Sequence, residues 1–178
     1  MKITWFGGRC LRIYIGGEIV VVDPQGAPAG VDHGELLAGA SWVGTLGEGD
    51  LPVVDADRWR PRPEERQIDG DKPLNYLSIG PSTLLIDAPG EPPLLVADVV
   101  DLPHMGRWVD GSIMILFGER GGRLAEAIAA LDLARPRLLA LAADESIVDR
   151  VVTTYFESNA YPEVPNLAGL EPGLALEV

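Results

Sequence analysis

Residues 1–24 read MKITWFGGRCLRIYIGGEIVVVDP, and their pattern decides the fold. Leu11, Ile13 and Ile15 alternate with Cys10, Arg12 and Tyr14, the period-two signature of a strand with one buried face. Gly16-Gly17 supplies the positive φ angles that a tight turn demands, and Glu18 to Val22 follows as a buried strand closed by Asp23-Pro24. The chain opens as a β-hairpin.

Beyond the Gly/Pro/Ala loop from Gln25 to Gly30, the sequence predicts a short helix around Asp32 to Ala38. Ser41 to Thr45 reads as a strand, and TLGEGDLP, residues 45–52, is the loop at its C-terminal end, where α/β folds place their sites. Residues 55–73, rich in proline and charge, read as a polar connection outside the core. Leu74 to Ile79 and Ser82 to Ile86 flank Gly80-Pro81 as a second hairpin, and Leu94 to Val96 is a further strand. Then the pattern changes. Ser112 to Phe117 and Arg137 to Ala142 are apolar strands; Arg123 to Ala134 and Glu145 to Glu157 carry helical periodicity, the second with Val148, Val151, Val152 and Tyr155 on one face. Hairpins first and β-α-β-α later predict a mixed, layered α/β domain.

A chain of 178 residues predicts one domain spanning 1–178. With 14 basic against 27 acidic residues and a net charge of −13, it is unsuited to a phosphate backbone, so nucleic acid is not an expected partner. No apolar run approaches the roughly 20 residues that span a bilayer. The opening residues show no secretory signal pattern, so the expectation is an acidic cytoplasmic protein without a membrane partner. Cys10, the single cysteine, forms neither an intramolecular disulfide nor a Cys-x-x-Cys metal site.

Met1-Lys-Ile-Thr-Trp5, the cysteine-led strand at Cys10, the Gly16-Gly17 turn and the closing Asp23-Pro24 together resemble the opening of the metallo-β-lactamase superfamily, in its lactonase-like metal-dependent hydrolase branch. The closing Leu170-Glu-Pro-Gly173 resembles that family's last turn. The resemblance implies an αββα sandwich, here reduced, with two mixed β-sheets flanked by helices. It also implies a dinuclear zinc site carried by a Thr-His-x-His-x-Asp-His motif after the strand at residues 41–45. Transferred residue by residue, the three motif histidines fall on Leu46, Glu48 and Leu51, and only the aspartate survives, as Asp50. The histidine after the first strand falls on Gly8, the last ligand falls on or beside Ala142 and Ala143, and the metal-bridging aspartate falls on Asp87.

That chemistry needs imidazole nitrogens to hold two ions about 3.5–4 Å apart around a hydroxide. Leucine, glycine and alanine side chains offer no lone pair. The expectation is therefore a degenerate, non-catalytic member without a cofactor, binding a small molecule or a protein partner; self-association is compatible with it. The alternative is an enzyme with a rebuilt oxygen-ligated site, in which Glu48, Asp50 and Asp87, with Asp144, hold one divalent ion such as Mg²⁺, Mn²⁺, Ca²⁺ or Zn²⁺.

Other features favour plain readings. His33 and His104 stand apart, without a second histidine at ligand spacing. Cys10 favours packing over reactivity. Trp5 and Trp42 are assigned to the core, Trp59 and Trp108 to a binding surface or subunit contact. Gly121-Gly122 reads as the turn that begins a helix, without the spacing of a phosphate-binding loop.

Overall fold

The computed structural model describes residues 1–63, 73–131, 133–157 and 166–178. Two sheets stack face to face. The first has the order β11 (Ala175–Glu177), β1 (Lys2–Gly7), β2 (Cys10–Ile15), β3 (Glu18–Val22), β4 (Trp42–Gly44); all its pairs are antiparallel except β3 with β4. The second has the order β10 (Asn166–Gly169), β9 (Leu138–Ala142), β8 (Ile113–Phe117), β7 (Leu94–Ala97), β6 (Thr83–Asp87), β5 (Asn75–Leu77). Strands β7 to β10 run parallel, whereas β6 is antiparallel to both of its neighbours.

Alternation along each strand builds three apolar layers. Leu11, Ile13, Ile15, Val20 and Val22 from the first sheet meet Leu84, Ile86, Leu94, Val96, Ile113 and Ile115 from the second. The opposite faces of β6 to β9 present Leu85, Leu95, Met114, Leu116, Leu139 and Leu141 to helices α2 (Gly118–Leu131) and α3 (Glu145–Glu157). Cys10 and Val21 lie under Leu36 of α1 (His33–Leu37), whose N-cap is the Asp32 side chain. The result is the αββα sandwich that the resemblance implies. On the open flank, Trp42 of β4 stacks on Tyr76 of β5, ring centroids 5.1 Å apart, joining the edges of the two sheets. No helix among the described residues is long and apolar enough to cross a membrane.

The hairpin at 10–22 forms as expected, with Gly16 and Gly17 at φ +56° and +84°. Three expectations need correction. The helix expected from Arg123 begins at Gly118, so Gly121 and Gly122 lie inside α2 and are buried. A Cβ on Gly121 would sit 2.7 Å from the Leu116 carbonyl carbon; glycine lets the helix close onto β8. The polar connection at 55–73 contributes to the core: Ala56 is buried and Trp59 packs edge-to-face on Trp108, centroids 4.9 Å apart. Trp108 is itself buried, so these two tryptophans fill the layer beneath the helices and do not form an open surface. Residues 64–72 of that connection lie outside the described residues.

Arg62 fastens the same connection to the sheet. Its Nε donates to Asp87 Oδ2 at 2.6 Å, and its Nη2 donates to the carbonyls of Asp87 and Pro73 at 2.6 and 3.1 Å. Asp87 is almost fully buried, so Arg62→Ala strands a carboxylate without its counter-ion. Because Arg62 itself keeps some solvent contact, the expected loss is about 2 kcal/mol, below the range for a fully buried pair. A lowered urea midpoint measures it.

Candidate functional site

The parallel strands β7, β8 and β9 end in step, with Ala97 opposite Leu116 and Leu116 opposite Leu141. Their C-terminal ends, together with the turn between β1 and β2, enclose a cleft of about 460 Å³. Its walls include Trp5, Gly8, Arg9, Asp98, Arg120 and Asp144. The Trp5 indole N–H donates to the Gly8 carbonyl at 3.0 Å, which fixes the turn and aims Arg9.

Arg9 is the hub of the cleft. Its Nε lies 3.2 Å from Asp23 Oδ2 and its Nη1 lies 3.5 Å from Asp98 Oδ2, so one guanidinium links a carboxylate of each sheet. Arg120 Nη1 approaches Asp98 Oδ1 at 4.0 Å. Behind this cluster, Arg150 of α3 bridges Glu119 and Glu126 of α2 and ties the two helices together.

Asp23 is 5% exposed, in the left-handed conformation at φ 48°. Burial raises its pKa; Arg9 and hydrogen bonds from the Leu46 backbone and the Thr45 side chain oppose that rise, and Glu48 adds to it. A carboxyl whose folded pKa is raised binds its proton more tightly folded than unfolded. Its contribution to stability thus falls as pH rises from the ordinary value of 3.8 through the raised one, and stays low above it. Asp23→Asn, which tolerates the left-handed backbone, is expected to gain stability relative to the native protein near pH 7. That gain shrinks as the pH is lowered toward 3.8, and paired urea titrations across that window check it. Cys10 is buried beside this group, its thiol pushed up to about 11 by burial and by the Asp23 charge.

The positions singled out in the sequence divide among several places. Gly8, Ala142 and Ala143 meet at the cleft. Leu46 is 4% exposed, part of the core between the sheets, with Leu51 packed against that core. Glu48 and Asp50 are exposed on the loop after β4, and Glu48 borders a shallow hollow with Ser78 to Thr83. Asp87 does not join them. It ends β6 four residues beyond Thr83, about 13 Å along the strand at the opposite sheet end from the cleft, and pairs with Arg62. Asp144 lines the cleft. His33 is exposed at the start of α1, and His104 is exposed 3.6 Å from Asp57.

The aspartate that does stand at the strand ends is Asp98, directly after Leu94-Leu-Val-Ala97. Asp87 and Asp98 both close buried apolar runs, and antiparallel pairing of β6 with β7 sends them to opposite edges. Arg9, Asp23 and Arg120 also escape sequence reading, because their partners come from segments far apart in the chain.

A zinc pair does not fit these residues. The cleft offers carboxylates and two arginines but no imidazole, and Arg9 already supplies a fixed positive charge between Asp23 and Asp98. Among the described residues no three His, Cys, Asp or Glu side chains are grouped to hold a metal ion.

Among solved structures, the chain matches a Thermotoga maritima protein assigned as a Zn-dependent hydrolase of the metallo-β-lactamase superfamily. The match has a TM-score of 0.50 over 96% of this chain and 99% of that one. The fold is metallo-β-lactamase-like. Identity is 13%, so the likeness concerns architecture, and the zinc dependence belongs to the neighbour's assignment. No family model matches the sequence, and no curated protein does.

Proposed function

We propose that this chain is a non-catalytic protein of metallo-β-lactamase-like fold whose cleft binds a small molecule or a protein partner. The observation that carries this reading is the fate of the motif positions. Leu46 is folded into the core, Gly8, Ala142 and Ala143 bring no donor to the cleft, and the charge there comes from Arg9. A guanidinium neither gives up its proton near neutral pH nor ligates a metal, so it cannot generate the hydroxide on which hydrolysis of this kind depends.

The cleft retains what binding needs: a concave wall of Trp5 and Phe117 with a few converging charged groups. Turnover assays on lactone, ester and phosphodiester substrates, with Zn²⁺, Mn²⁺ or Mg²⁺ supplied, test the reading. Rates equal to buffer are expected. Metal-dependent turnover would overturn it, and loss of that turnover in Asp50→Ala would assign the reaction to the carboxylate-ligated alternative of Glu48 and Asp50.

A further inference from the structure

We propose that the Arg9 guanidinium is a tethered cation serving Asp23 and Asp98 in place of a metal ion, and that removing it turns these carboxylates into a site for a hard divalent cation.

Asp23 is 5% exposed, and its Oδ2 accepts no hydrogen bond. The compensating contact of that oxygen is Arg9 Nε at 3.2 Å. A buried carboxylate oxygen without a hydrogen bond is costly unless an opposite charge stands beside it. Asp98 reaches the same guanidinium from the second sheet, its side chain 17% exposed. One positive charge therefore holds together two acids that come from different sheets and line the same edge of the sandwich.

Deleting that charge leaves two solutions. The pair can take up a proton, or it can take up another cation. The oxygens offered are carboxylate and hydroxyl, with Thr45 beside Asp23. That donor set suits Mn²⁺ or Mg²⁺ and disfavours nitrogen-seeking ions. Arg120, 4.0 Å from Asp98 and mostly exposed, is a second guanidinium near the pair that can swing in to substitute.

The test compares the unaltered protein with Arg9→Ala and Arg9→Ala/Arg120→Ala, each titrated with Mn²⁺. Melting temperature and the loss of the free Mn²⁺ paramagnetic signal are the readouts. Both variants are expected to bind one Mn²⁺ and to melt higher with it, while the unaltered protein shows no Mn²⁺ shift. Adding Asp23→Asn and Asp98→Asn to the double variant is expected to abolish the shift. Two results would overturn the proposal: no Mn²⁺ response in either Arg9 variant, or a response that survives the two asparagine substitutions. If Arg9→Ala does not fold alone, it is refolded from urea with and without Mn²⁺. Recovery dependent on Mn²⁺ supports the proposal, and failure under both conditions overturns it. Mn²⁺ held by the unaltered protein and retained in its Asp23→Asn/Asp98→Asn form would instead contradict the non-catalytic reading through some other site; the Arg9 variants decide this one separately.

Discussion

Leu46→Ala is expected to destabilise the protein by about 3 kcal/mol, read as a lower urea midpoint at an unchanged slope. Leu46 lies on the loop after β4, a place where exposure would be ordinary, yet it is 4% exposed and belongs to the core between the sheets. Truncation removes the methine and both methyl groups beyond Cβ from the core between the sheets and leaves a cavity that rigid strands cannot close. The size of the loss matters beyond stability, because the sequence resemblance transfers the first histidine of the resembled family's metal motif onto Leu46. A loss under about 1 kcal/mol would mean that the side chain is replaceable at an open site. A loss of the expected size would mean that the loop has been rebuilt as core, with no room for a ligand to turn outward.

Trp108→Ala is expected to cost more, about 4 kcal/mol. The indole is buried, packs edge-to-face on Trp59 and donates its N–H to the Ala56 carbonyl at 2.6 Å. The Gly106 N–H donates to the same carbonyl at 3.0 Å, so residues 55–59 are clamped to the segment before β8 by two hydrogen bonds and a ring pair. Truncating Trp108 opens a large void in the apolar layer on the helix side of the second sheet and leaves Ala56 with one of its two donors. Trp108→Phe separates the contributions, since it keeps most of the ring and loses the N–H. It is expected to cost about 1–2 kcal/mol, the range for a hydrogen bond lost inside the fold. Urea unfolding of the two variants side by side gives both numbers. A Trp108→Ala loss near zero would restore the reading of these tryptophans as an outward surface.

The contrast between these residues shows what the sequence can and cannot carry. The hairpin of β2 and β3, the strands β8 and β9 and the helix Glu145–Glu157 were legible because each is encoded within one short stretch of chain, 13 residues for the helix, by alternation, by a glycine pair or by helical spacing. The start of α2 was not legible. Gly121 reads in isolation as the turn that begins a helix, and its placement inside α2 follows from a tertiary demand, the approach of the helix to the Leu116 backbone. Ala56 and Trp59 were lost in a run of proline and charge whose composition outweighed two apolar side chains.

The site was half legible. The absence of donors at Gly8, Leu46, Ala142 and Ala143 could be read directly, because it depends on residue identity alone. The placement of an aspartate at the cleft could not, because Asp87 and Asp98 share the same local signal and only strand direction tells them apart. Nor could the Arg9 hub, whose partners lie 14 and 89 positions away in the chain, and whose meaning depends on Asp23 being buried.

The proposed reading has the cleft carrying its own fixed cation, Arg9, and holding no catalytic metal. It is tested most directly by the metal content of the protein, expressed without a histidine tag, supplied with zinc, manganese and magnesium, and measured by elemental mass spectrometry beside Asp50→Ala. The account predicts far less than one metal ion per chain in both proteins. One ion per chain in the native protein, lost in Asp50→Ala, would contradict it.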